Sequence, residues 1–155
     1  MKKSFYLSLL CLLAACSSND ITLQNQTYKL DRMRVSGGSD ESWYINKKNP
    51  EEQFLVWGGY FPQDIDFIQS FMQDEQKKRQ KKSPTCIIEK KHYQDIDYYV
   101  CDSQEINRTI TIIYVLETQI KDGKSYGLAK IHFSPKTLNE EEQRNIAIAI
   151  SQSRH

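Results

Sequence analysis

The alternation of apolar and polar residues changes period several times along this chain, and each change marks an element. Tyr28 to Val35 alternates as a strand, slipping phase at Asp31-Arg32, and Ser36-Gly37-Gly38-Ser39 follows as a turn. Trp43-Tyr44-Ile45 predicts a short strand, broken by Asn49-Pro50. Phe54-Leu55-Val56-Trp57 is continuously apolar, the pattern of a strand covered on both faces. Gly58-Gly59-Tyr60-Phe61-Pro62 should end that strand and open a helix, because proline is tolerated where a helix begins. In that helix Ile65, Ile68, Phe71 and Met72 fall at helical spacing and predict one buried stripe. Asp64 and Asp66 suit its positive end, the cations of Lys77 to Lys82 suit its negative end, and Ser83-Pro84 stops it.

Two hairpins come next. Placing Cys86 opposite Cys101 sets Ile87 against Val100, Ile88 against Tyr99 and Lys90 against Asp97, with the turn at His92 to Asp95. Asp122-Gly123 is a strong signal for a type I′ turn. Around it Ile112 faces Phe133, Tyr114 faces Ile131 and Leu116 faces Ala129, all on one side of the sheet. The other side carries Thr111, Ile113 and Val115 beside Lys130 and His132, and reads as only partly covered. A last helix begins at Thr137, with Glu140 completing a capping box, and docks through Ile146, Ala149 and Ile150, with Leu138 near the entrance. The fold class expected is therefore α+β: an antiparallel sheet with a four-stranded C-terminal meander and two packed helices. This element order resembles that of PsbP-like and related bacterial lipoprotein α/β/α sandwiches.

The first sixteen residues change the picture. Lys2 and Lys3 precede an apolar run from Phe5 to Leu13, the order of a secretory signal, and the run is about half the ~20 residues a transmembrane helix needs. Leu13-Ala14-Ala15-Cys16 resembles the lipobox of bacterial lipoproteins. The resemblance implies cleavage before Cys16, a diacylglyceryl thioether on its sulfur and acylation of the freed amine. Two or more acyl chains make a durable anchor, at ~0.8 kcal/mol per buried methylene. Ser17 and Ser18, rather than Asp, follow the cysteine, which in that family favours the outer membrane, facing the periplasm. Residues 1–15 are thus a signal peptide, 16–26 a polar tether and 27–155 a single domain.

Composition then excludes more than it assigns. Without Lys2 and Lys3 the chain holds 19 basic and 20 acidic residues, a balance with no steering toward nucleic acid. Cys11 leaves with the signal, so Cys86 and Cys101 remain, in an oxidising compartment, as a structural disulfide. Their spacing is not that of a thioredoxin-type site, and three scattered histidines do not make a zinc site. His132 is the best-placed base, with Glu117 on the facing strand, but no nucleophile completes a triad. No phosphate loop or dinucleotide fingerprint is present.

Neither a catalytic set, a cofactor nor a metal is expected, and the chain reads as a non-enzyme. The leading function is an envelope lipoprotein that binds a protein partner, as an assembly factor or a toxin-immunity protein does. A lipoprotein binding a small ligand or lipid between the sheet and the first helix is the alternative, ahead of a hydrolase with an unrecognised site. The candidate partner patch is the aromatic rim of Trp57, Tyr60 and Phe61, because aromatics are enriched in binding hot spots. The basic end of the first helix, at the other end of that element, is the second choice.

Overall fold

From Ile21 the chain forms four strands, a helix, four more strands and a second helix; the computed structural model describes residues 19–154. The strands are β1 (Ile21–Leu23), β2 (Gln26–Ser36), β3 (Ser39–Asn46), β4 (Gln53–Tyr60), β5 (Glu89–Tyr93), β6 (Ile96–Gln104), β7 (Thr109–Lys121) and β8 (Lys124–Ser134). The helices are α1 (Phe67–Lys82), between β4 and β5, and α2 (Glu140–Gln152), after β8. All eight strands pair antiparallel in one sheet, in the order β1-β2-β3-β4-β8-β7-β6-β5. α1 carries the chain from β4 to the far edge, and successive pairings bring it back until β8 lies beside β4.

Alternation along the central strands builds two cores. Phe54, Val56, Ile113 and Val115 pack with Tyr28, Tyr44 and Tyr98 beneath Ile146, Ala147 and Ile150 of α2. Leu55, Ile112, Tyr114 and Ile131 pack on the opposite face with Cys86, Cys101 and Met72 of α1. Ile112 and Ile113, neighbours in β7, are both fully buried, each under a different helix. The expectation of a doubly covered strand over Phe54 to Trp57 holds for Phe54, Leu55 and Val56, which are buried, while Trp57 is half-buried. Every expected pair of the β7–β8 hairpin holds, with Asp122 at φ 52° and Gly123 at φ 71° making its turn.

Several expectations give way. Ile21–Leu23, placed in the tether, forms β1 and buries Ile21 and Leu23 in the α2-side core. The turn that allows it is Gln24-Asn25, both at positive φ, where no glycine announces it. Gly58, Gly59 and Tyr60 do not end β4 but belong to it. α1 does not start at Pro62; Asp66 caps it, its side chain accepting from the Gln69 N–H at 3.1 Å. Ile65 is consequently exposed before the helix, and the buried positions are Phe67, Met72 and Glu75.

The β5–β6 register is displaced by two residues. Lys90 pairs with Tyr99 and His92 with Asp97, around a two-residue turn at Gln94-Asp95. Cys86 lies outside the ladder, its N–H bonded to the Ser83 carbonyl, so the disulfide to Cys101 forms without dictating the register. The second helix starts later than expected: α2 is capped by Asn139 with Glu142, not by Thr137 with Glu140. It docks through Ala147, with Ala149 only half-buried. Finally, the face bearing Ile113, Lys130 and His132 is covered, because α2 lies on it.

Candidate functional site

The three aromatics of the expected rim divide between the two faces of the sheet. Trp57 points to the α1 side, stacked on Phe67 at 5.7 Å and leaning on Phe71 at 5.4 Å. Phe61 stacks on the other side of the same cluster, 5.1 Å from Phe67. Phe67 itself is seated over Gly127 of β8, where an added Cβ would come within 2.5 Å of the ring. Trp57 and Phe61 therefore fasten the first turn of α1 to the sheet. Tyr60 points the other way: its hydroxyl donates to Asp122 at 3.2 Å, and its ring meets Tyr126 edge-on at 5.1 Å. Tyr126 in turn donates to Asp40, and burial together with that carboxylate pushes its hydroxyl up to about 12.

A groove of about 730 Å³ opens on the α1 side, between the helix and the β5–β6 hairpin. Met72 and Leu116 lie along it, Ile88 and Tyr99 form the hairpin wall, and Gln69 and Gln73 stand on the helix wall. Two constraints create this shape. The Gln76 side chain donates to the Cys86 carbonyl at 2.7 Å and accepts from the Ile88 N–H at 2.7 Å, clamping residues 86–88 to α1. The Cys86–Cys101 disulfide ties the same segment to β6. Asp97 on the rim is bonded to His92 at 2.6 Å and Lys90 at 3.3 Å, and these partners, His92 first, hold its carboxyl below the usual range. The expected Lys90–Asp97 contact thus survives as a diagonal pair despite the shifted register.

Two polar clusters lie inside the cores. Under α1, Glu75 accepts from Arg79 at 3.2 Å and from the Tyr114 hydroxyl at 3.1 Å, while the Arg79 guanidinium lies 5.2 Å from the Phe133 ring centre. Burial is the main cause that raises the Tyr114 hydroxyl above its ordinary value. Under α2, the Tyr28 hydroxyl donates to Glu52 Oε1 at 2.8 Å, and His132 Nε2 lies 2.9 Å from the same oxygen. Asn46 donates to Glu52 Oε2 at 2.8 Å and to Gln26. Burial alone would raise the Glu52 carboxyl, but the bonds from His132, Tyr28 and Asn46 prevail and hold it below its ordinary value. A proton on Nε2 lets His132 donate to Glu52 and leaves Nδ1 as a buried acceptor without a partner.

His132 therefore does not pair with Glu117, which takes Lys130 at 3.0 Å instead. Its true partner stands 80 residues upstream, brought near by the pairing of β4 with β8. No local signal points to it. Chemically, the cluster is mutually bonded except at His132 Nδ1, and burial and Glu52 raise the Tyr28 hydroxyl well above its usual range, so it is no ready nucleophile. Among the described residues, no group of three or more His, Cys, Asp or Glu side chains could hold a metal ion. Cys16, the expected lipid site, and residues 1–15, expected to be a signal peptide, lie outside the described residues. No family model matches this chain, and neither the curated proteins nor the solved structures contain a match to it.

Proposed function

We propose that the chain is a lipid-anchored protein of the bacterial envelope whose folded part works by binding a protein, not by catalysis. Residues 1–15 serve as signal peptide and Cys16 carries the lipid, at the periplasmic side of the outer membrane. The groove between α1 and the β5–β6 hairpin carries the binding half of this reading. Its apolar lining lies beside β5, which ends the sheet and so offers backbone groups for an added strand. Lys90 and Lys91 on β5 discourage pairing between copies. An assembly factor and an inhibitor of an incoming toxin both act in this way.

The volume of the groove favours one second reading, a small apolar ligand or lipid, because sites of roughly 300–1,000 Å³ commonly hold such molecules. One experiment separates the two. A photo-crosslinking residue at Gln73, on the groove, is compared with one at Gln80, which does not line it. A discrete protein adduct at Gln73, absent at Gln80 and lost with Ile88→Glu, supports the protein partner. A small molecule released from native complexes of the wild type, and absent from Ile88→Glu, supports the ligand reading. Partner capture unchanged by Ile88→Glu overturns the groove as the site. The anchor is tested separately by fatty-acid labelling, which Cys16→Ser should abolish.

A further inference from the structure

β1 is aimed at one particular end of the sheet. It runs antiparallel to β2, with Ile21 opposite Tyr28 and Leu23 opposite Gln26. Its N-terminal end therefore points along β2 toward the β2–β3 turn at Gly37-Gly38. Cys16 stands five residues before Ile21, and five residues of chain span at most about 18 Å. The Asp122-Gly123 turn and Tyr60, the last residue of β4, lie at that same end, since Ser39 pairs with Gly59 and Tyr60 with Tyr126.

That end exposes four large apolar or aromatic side chains. Met33, Val35, Tyr60 and Ile120 are 63, 77, 43 and 71% exposed. Met33 and Ile120 border a hollow of about 490 Å³ on the sheet face, with Tyr44, Val56 and Leu128 along it. Single exposed apolar side chains are ordinary, but two bordering one hollow, with Val35 and Tyr60 at the same end of the sheet, mark an interaction surface. Its polar residues have the composition of a bilayer boundary, aromatic rings carrying cations. Lys121 lies 4.5 Å from the Tyr126 ring centre and Lys124 lies 5.8 Å from that of Tyr60. The nearby carboxylates of Asp40 and Asp122 each accept a hydrogen bond from one of these tyrosines.

We infer that this end of the sheet rests on the phospholipid surface that holds the anchor, with Met33, Val35, Tyr60 and Ile120 at the headgroup boundary. The inference rests on the lipid-anchor reading above. It orients the α1 groove as well: the groove opens on the opposite sheet face from the hollow, so docking by the hollow leaves the groove free. The β6–β7 loop, with Ile106 almost fully exposed, lies at the other end of the sheet and serves as the control.

Hydrogen exchange on the mature chain attached to vesicles of phosphatidylethanolamine and phosphatidylglycerol tests the orientation. Attachment is through its own acyl chains or, where the intact mass shows none, through a maleimide lipid coupled to Cys16. Slower exchange at residues 31–40 and 118–126 than in the detached chain, with residues 103–109 unchanged, is the expected result. Met33→Ser with Ile120→Ser should remove that protection while leaving the exchange of β7 and β8 interiors intact. Protection at 103–109 instead, protection nowhere, or protection that appears only when an envelope protein is added overturns the inference. A mass lacking acyl groups overturns the anchor reading alone, because the maleimide-held chain still reports its orientation.

Discussion

Glu52 Oε1 lies 2.9 Å from Nε2 of His132, joining the loop before β4 to the C-terminal end of β8 across 80 residues of sequence. The hydrogen bonds converging on Glu52 hold its carboxyl below the ordinary 4.5. A carboxyl depressed in the folded state contributes stability that is present above that ordinary value and lost as pH falls through the folded one. Thermal melts from pH 7 to pH 3 should show the wild type losing more stability than Glu52→Gln. At pH 7 the same substitution should cost about 1–3 kcal/mol, because it weakens bonds to buried partners. Equal acid sensitivity of the two proteins would remove this role.

The segment 86–88 is held twice, by the disulfide and by Gln76. Replacing both cysteines by serine should destabilise the fold by about 3 kcal/mol. Gln76→Leu in the oxidised protein should cost about 1 kcal/mol, since it removes the partner of a part-buried carbonyl and N–H. Both act on one short stretch, so their combination in chemical denaturation should depart from the sum. Strict additivity would show that the two ties are independent.

Gly127 is required by close approach. Its φ is not positive, but a methyl group there would meet the Phe67 ring at 2.5 Å. Gly127→Ala should destabilise by about 1–3 kcal/mol through overpacking. Phe67→Leu in the same chain should recover part of that loss if the collision is the cause. A neutral Gly127→Ala would mean that α1 moves away without cost.

The aromatic residues should separate by role. Trp57→Ala removes the ring stacked on Phe67 and should cost about 3–5 kcal/mol in denaturant melts. Tyr60→Ala leaves the α1 cluster intact and should cost far less, because the side chain is 43% exposed. Similar losses at the two positions would contradict the division of this cluster between faces.

What could be read from the chain was local. Asp122-Gly123 can adopt left-handed conformations in adjacent positions, so the turn, and with it the whole β7–β8 register, follows from neighbouring residues. Phe54 to Val56 needs two covers because no polar residue interrupts it, and burial on both faces results whichever helices provide it. The cysteines, too, were close enough to pair once the chain turned between them.

Competition between neighbouring signals was harder to read. Pro62 and Asp66 both suit a helix start, and Asp66 prevails because its carboxylate satisfies the free N–H of Gln69. Gln94 takes a positive φ that its residue type does not advertise, which shortens the turn and displaces β5 by two residues. The displacement is by an even number, so each side chain keeps its face of the sheet and the core tolerates either pairing. The sequence by itself therefore determined the element types from β2 onward, the alternation of faces and the β7–β8 hairpin, all set by residues within one turn or strand. Only the tertiary structure decided that β1 closes the α2-side core, that Glu52 meets His132 and that a groove opens beside α1. Those depend on which strands become neighbours, and that choice is made by the burial of whole faces rather than by any local pattern.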